Sequence, residues 1–468
     1  MGYRSTSGAR IQTTIDRIEI THDNLTGRGG LSLFARYLRQ IDLFPHLDRL
    51  FGTVRKNGKG VSVREMFKQM ICFFVDGTSR HLSYFDHLRS GADGYGAVIE
   101  VSEEQLASSH SVKRFLRSFW WPRIYLFRRL LIKLFLWRLQ TARPEVIVLG
   151  LDTSVFDNDD ALQRHGVQPT YKKVKGFQPL LLTWNRFIID AVFRGGKKHS
   201  NSGDSASEMV THVVDEIRKQ YRIDVPILIR FDAGFFDQDL FEVLEQKGIG
   251  YTCTGKLYQD IKEFAGNVDP AQWRHHHNGN QEWGFFEFGD RRGNWACFRR
   301  AFYLKPRYED RQQLLEFARP ETVLYTNLGM GGQIDEQLRK CRVEAFLEPE
   351  KIIEFQHHRG ADELVFRCVK EFSDEKLPCK RFNMNAVWFY TMLLSFFLFE
   401  SFKEDVTDGV VPVSAYPSTF RRILIDFAAK IVHHSGKIVL KVTQAVHTRL
   451  NLEILWQRCL APPKFVWL

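Results

Sequence analysis

EVIVLGLD, residues 145–152, is a short run of β-branched and apolar residues that ends in an acid. Such a run reads as a buried strand. A second run of the same kind, VPILIRFD (225–232), also ends in an acid. Between them lie two more strand candidates, KGFQPLLLTW (175–184) and RFIIDAVFRG (186–195), joined through a turn at Asn185. ASEMVTHVVDEIRKQY (206–221) reads as an amphipathic helix. FFDQDLFEVLEQKG (235–248) is a helix with a glycine stop, and IGYTCTG (249–255) is a fifth strand. Three hairpin-style strands followed by helix-linked strands predict an α/β fold, with a mixed five-stranded sheet and helices on its faces.

Outward from this unit the texture changes. Residues 1–144 read as a helical region. SLFARYLRQIDLFPHLDRLF has helical spacing around a Pro break, and VSVREMFKQMICFFVDG stops at Gly77. Ser109 or Ser111 is placed to cap a long helical stretch that Pro122 divides. Residues 145–255 form the first part of the core. Residues 256–338, broken by Gly and Asn, read as a β-rich insertion, with His275, His276 and His277 in a solvated loop. Residues 339–402 return to helices and complete the core. Residues 403–468 hold a Pro-rich linker, a basic helix (RRILIDFAAKIVHH) and a strand (KIVLKV).

The chain carries a net charge of +11, which favours an anionic partner, most commonly nucleic acid. Between Lys113 and Arg138 there are eight Lys or Arg and no acid. That face could follow DNA phosphates, lie on a membrane surface, or be the solvent side of a core helix. Seven scattered cysteines without a CxxC pair argue against a zinc ribbon and fit a reduced, cytoplasmic protein. The uncharged run Phe382–Phe399 touches the length of a membrane span. Asn383 and Asn385 shorten its apolar part to that of a buried core helix, so no membrane is expected.

Asp152 and Asp232 end their strands at the sheet rim, where ligands commonly bind. At about 100° per residue, a helix from Arg359 places Arg359, Glu363 and Lys370 on one face, and Leu364, Val365, Cys368, Val369 and Phe372 on the other. Arg359 and Glu363 also satisfy the spacing of an ordinary i,i+4 surface pair.

Arg359, Glu363 and Lys370, spaced by three and six residues, resemble the Tyr-Arg-Glu-Lys signature of one group of bacterial insertion-sequence transposases. Position 356, where the signature has Tyr, is Gln356. The resemblance covers roughly 145–400 and implies a DDE enzyme with an RNase H-like catalytic core. It implies catalytic and metal-holding roles for Asp152, Asp232 and Glu363, with two Mg²⁺ ions, Mn²⁺ being a possible substitute. It implies cleavage at element ends and strand transfer into a target; the alternative is an RNase H-like DNA nuclease that joins nothing. The partners implied are double-stranded DNA (terminal inverted repeats and target) and a second copy of the chain. Arg359 and Lys370 would grip phosphates.

Further DNA contacts are expected from Arg194 in the basic loop FRGGKKHSNSG, from Lys172, Lys173 and Lys175, and from Lys113, Arg114 and Arg117. A helix-turn-helix within 61–90 or 105–121 would help read the ends. Trp273, Trp283 and Trp295 are expected mainly to pack, and the loop acids Asp157, Asp159 and Asp160 to remain outside the site. His357 and His358 are expected at the surface.

Overall fold

The computed structural model describes residues 15, 17–55, 60–91, 93–198, 205–278, 281–293, 295–307, 321–373 and 375–467. Most of the basic loop after Lys198 lies outside them.

Among the described residues the main sheet has nine strands: β1 (Ile147–Thr153), β2 (Leu180–Trp184), β3 (Phe187–Val192), β4 (Ile227–Phe231), β5 (Gly250–Thr254), β6 (Arg274–Asn278), β7 (Gln281–Asp290), β8 (Arg299–Arg307) and β9 (Thr322–Thr326). Their order is β6-β7-β8-β9-β5-β4-β1-β2-β3. β1 runs parallel to β4, and β4 parallel to β5, while β2 and β3 are antiparallel. The half β3-β2-β1-β4-β5 is the expected RNase H-like sheet. Its inner strands are mostly apolar because both faces are covered, with Arg230, Thr183 and Thr252 as buried polar exceptions. Asn185 takes φ 52 in the β2–β3 turn, a conformation that Asn tolerates better than most residues.

Among the described residues, the region expected as a β-rich insertion builds no separate sheet. β9 pairs antiparallel with β5, so β6–β9 continue the core sheet past its edge and cover what would otherwise be an open row of backbone groups. The histidines expected in a loop form part of β6, and His276 is buried against His357. KGF separates from LLLTW at Pro179, which lacks the N–H a ladder needs. Lys175–Phe177 instead pairs in a small sheet with Phe156–Asp157 and Gln168–Pro169.

The helices that bear on the site are α1 (Val63–Asp76), α2 (Ser109–Arg117), α3 (Trp121–Ala142), α4 (Ser205–Gln220), α5 (Gln238–Gln246), α6 (Pro349–His357), α7 (Arg359–Ser373) and α8 (Phe382–Phe402). Ser62 caps α1 through the Glu65 N–H, and Gly77 ends it at φ 61. Ser108, one residue before the expected positions, caps α2 through the Ser111 N–H. α1 is buried nearly all round, so in the helix-turn-helix expected within 61–90 the groove contacts would fall to the short helix Tyr84–Arg89 that follows. α8 is the central post. It is buried along its length and packs on α1, α2, α3 and β3. Its 18-residue apolar window is 89% buried inside the protein. One hydrophobic core runs from Leu31 through the sheet to Phe465.

The tail departs from expectation at AAKIVHH. Ala429–His434 is a strand, paired with Lys437–Lys441 through a turn at Ser435 (φ 50) and Gly436 (φ 72). Two successive positive φ angles make the hairpin turn whose twist matches its strands. The β-branched pair Ile431–Val432 and the Ser-Gly dipeptide outweigh the helical spacing of the basic residues.

Candidate active site

Asp152 is the penultimate residue of β1, and Asp232 follows the last residue of β4. Leu151 is in register with Phe231, so the two aspartates stand side by side at the same rim. α7 then brings Glu363 to them. Arg359 donates to Asp152 Oδ2 at 3.1 Å and to Glu363 Oε1 at 2.7 Å. Asp152 and Glu363, 211 positions apart, are thereby joined through one guanidinium, and Asp232 stands beside Asp152 on the neighbouring strand.

The electrostatics are unbalanced. Burial first, and the neighbouring Asp232 second, push the Asp152 carboxyl up to about 7, against the opposing pull of Arg359; Glu363 adds to the rise. Tyr171 also feels the field of Asp152, Asp232 and Glu363, and with burial as the larger cause its hydroxyl is held above its usual value. The loop carrying Tyr171 therefore overlooks the acids. Lys172 and Lys173 on the same loop, and Lys175 at the start of the short strand after it, are exposed.

A hard divalent cation takes oxygen ligands and relieves crowded carboxylates, so this donor set fits one in chemistry. As the side chains stand, no three His, Cys, Asp or Glu among the described residues are grouped closely enough to hold an ion. Arg359 bridges Asp152 and Glu363 instead.

The outer face of α7 carries Arg359 and Glu363, and the inner face carries Val365, Val369 and Phe372. Leu364, expected inside, is 49% exposed. Lys370 pairs with Glu375 at 3.1 Å and borders a cleft of about 460 Å³ with Arg80 and His81. Arg194 is not a surface cation. It is buried, donates to the Gln178 carbonyl at 3.1 Å, and is pushed down to about 10 by burial. It holds the end of β3 in place.

The basic stretch before residue 139 divides in two. Lys113, Arg114 and Arg117 are exposed on α2. On α3, Arg128 pairs with the buried Asp190, and Lys133 and Arg138 are buried. Trp295 is buried against Phe236 and Tyr325, and Trp273 packs on Phe286 and Tyr303. Trp283 packs on His357, which is half-buried rather than at the surface, and burial pushes that imidazole down to about 4. Asp160 pairs with Lys376, away from the acids.

Two buried residues on the helices were not predicted. Asp362, the neighbour of Glu363, accepts two bonds from Arg230 (2.7 and 3.1 Å). Gln356 donates to the Phe231 carbonyl at 3.1 Å and to Thr254 Oγ1 at 3.0 Å, and accepts from Thr252 at 2.6 Å. So the position of the signature's Tyr is turned into the sheet in this chain. One signal is present in the sequence: Arg230 in the middle of an apolar strand asks for a buried partner.

No curated protein matches this sequence. Among solved structures it is similar to the piggyBac transposase in a synaptic complex with hairpin DNA, at 12% identity and a TM-score of 0.38, over 93% of this chain and 82% of that one. Residues 13–459 match the transposase DDE domain group 1, nearly the whole length, and the chain belongs to that transposase family.

Proposed function

We propose that this transposase cuts DNA at the ends of an insertion sequence and joins them to a target, using Asp152, Asp232 and Glu363 as the acids of the DDE set. The observation that carries the reading is the pair of strand-end aspartates in register, one of them joined through Arg359 to a glutamate on the helix. The three carboxylates would hold divalent metal, with two Mg²⁺ as the proposed complement and Mn²⁺ as a substitute. Such ions supply an activated oxygen nucleophile and stabilise the leaving oxygen.

The chain's own residues do the rest. Asp152, in a partly desolvated place, is poised to exchange its proton or guanidinium partner for a cation. Arg359, once released from the acids, presents a planar fork suited to a phosphate, and Lys370 a point charge. Lys172, Lys173 and Lys175 would hold the DNA backbone beside the acids. Lys113, Arg114 and Arg117 would extend the track: Asn383, at the start of α8, donates to the Phe119 carbonyl just past α2, and Trp121 meets Phe382. Bringing two ends together calls for two copies of the chain.

The test is a short end-DNA duplex with a plasmid target, in Mg²⁺ and then Mn²⁺. Asp152→Asn, Asp232→Asn and Glu363→Gln should each abolish cleavage while leaving end binding intact. Full cleavage by one of them removes that residue from the set. Cleavage by the native chain with no joined product would favour the nuclease reading.

A further inference from the structure

One pleat inward from the acids, a single row crosses four strands: Thr183 on β2, Gly150 on β1, Arg230 on β4 and Thr252 on β5. Gly150 and Arg230 each precede a rim aspartate by two residues, so they lie on the same sheet face as Asp152 and Asp232. The helix pair α6–α7 is fastened to this row. Asp362 takes both donors of the Arg230 fork, and Thr183 stands 3.4 Å from its other side. Gln356 takes Thr252. Arg230 also donates to the Phe355 carbonyl at 3.2 Å, so one guanidinium ties β4 to both helices.

Gly150 makes the contact possible. A methyl group there would stand 2.6 Å from Asp362 Oδ2 and 2.6 Å from Thr183 Oγ1. Asp362 and Arg230 are both buried. A buried bidentate pair has one good geometry, because an uncompensated partner is costly to leave in that place. By contrast Glu363, the next residue, is 58% exposed at its side chain and pairs with Arg359 on its own helix.

We infer that Asp362 is the positioning residue of the site: locked on Arg230 over Gly150, it sets where along the rim Glu363 stands relative to Asp152 and Asp232. This rests on the proposed roles of the three acids. Glu363 supplies the chemistry and Asp362 supplies its address.

The experiment uses the full chain with end-DNA and with Mn²⁺ alone as the metal probe. Asp362→Asn keeps the shape and breaks the charge pairing. Gly150→Ala keeps the charges and lifts the helix. A misplacement on the order of 1 Å is worth about 100-fold in rate. Both variants should therefore lower kcat for cleavage by about that factor, with KM for end-DNA within about threefold. Mn²⁺ affinity, read by electron paramagnetic resonance without turnover, should fall in parallel. A merely structural role would lower Tm and leave both readings unchanged in the folded protein. Should Asp362→Asn misfold, Gly150→Ala decides alone. Native kcat and native Mn²⁺ affinity in the decisive variant overturn the inference. If Glu363→Gln itself cleaves fully, the assignment of the acids has failed instead.

Discussion

Two clusters of charge in this protein use the same residue types and behave in opposite ways. Where α3 meets the end of α8, Arg138 donates to Asp405 at 2.7 Å and to Glu404 at 2.5 Å. Arg186 reaches Glu404 and Glu400, Lys403 takes both oxygens of Glu400, and Tyr37 caps Asp405. Three cations face three acids there, largely away from water. At the sheet rim, Asp152 and Glu363 share Arg359, and Asp232 beside them adds a further negative charge. Matched charge fixes the fold, and the unmatched charge is where we propose that a cation binds.

The largest break in that comparison comes from Arg138→Met. It fills much of the volume but leaves Glu404 and Asp405 short of their partner. Removing one member of a buried pair costs about 3–5 kcal/mol, read as a fall in the denaturant midpoint. An unchanged midpoint would mean that the cluster is wetter than its burial implies.

The opposite sign is expected at the rim. The Asp152 carboxyl is raised in the fold, so its contribution to stability is whole below the unfolded value of about 4 and is lost as pH rises through about 7. Asp152→Asn fixes the uncharged state. In metal-free protein its Tm should match the native chain near pH 4 and exceed it increasingly up to pH 8, by the equivalent of roughly 4 kcal/mol. Melting curves of the two proteins across that range check it. A gap that is constant with pH would show that the carboxyl is not raised.

A smaller effect sharpens the same point at β6. Burial against His276 and Trp283 lowers the His357 imidazole to about 4. A lowered base contributes stability that is present above its unfolded value near 6.5 and lost as pH falls towards 4. His357→Phe should keep the ring against Trp283 and remove part of the acid sensitivity, by about 1 kcal/mol. Acid unfolding curves that superimpose would reject the assignment.

How far the sequence tells these regions apart follows from the physics. Strand-end acids are legible because apolar β-branched runs define where a strand stops, and the helix of Glu363 is legible because its apolar positions recur at helical spacing. The five strands from EVIVLGLD to IGYTCTG are readable for the same reason. The partners of buried charge are not legible, since Arg138 and Asp405 lie 267 positions apart. For that reason the run from Lys113 to Arg138 resembles one basic face. Gln356 reads only as a departure from the signature's Tyr because nothing local shows that it turns inward to Thr252. RRILIDFAAKIVHH misleads by its composition: the Ser-Gly turn that decides it lies just outside the run.

The final test divides that basic run by exposure. Lys113, Arg114 and Arg117 are exposed on α2, whereas Arg128, Lys133 and Arg138 on α3 are engaged inside. Replacing the first three by Ala removes solvated charge, so stability should move by no more than about 0.5 kcal/mol. If those cations meet phosphates, the dependence of end-DNA affinity on salt should flatten by up to about 0.9 in log–log slope for each phosphate no longer neutralised. A filter-binding series from low to moderate salt reads the slope, and the melting curve reads the fold. An unchanged slope would take α2 off the DNA. It would leave the exposed lysines beside Tyr171 as the cations proposed to hold the DNA.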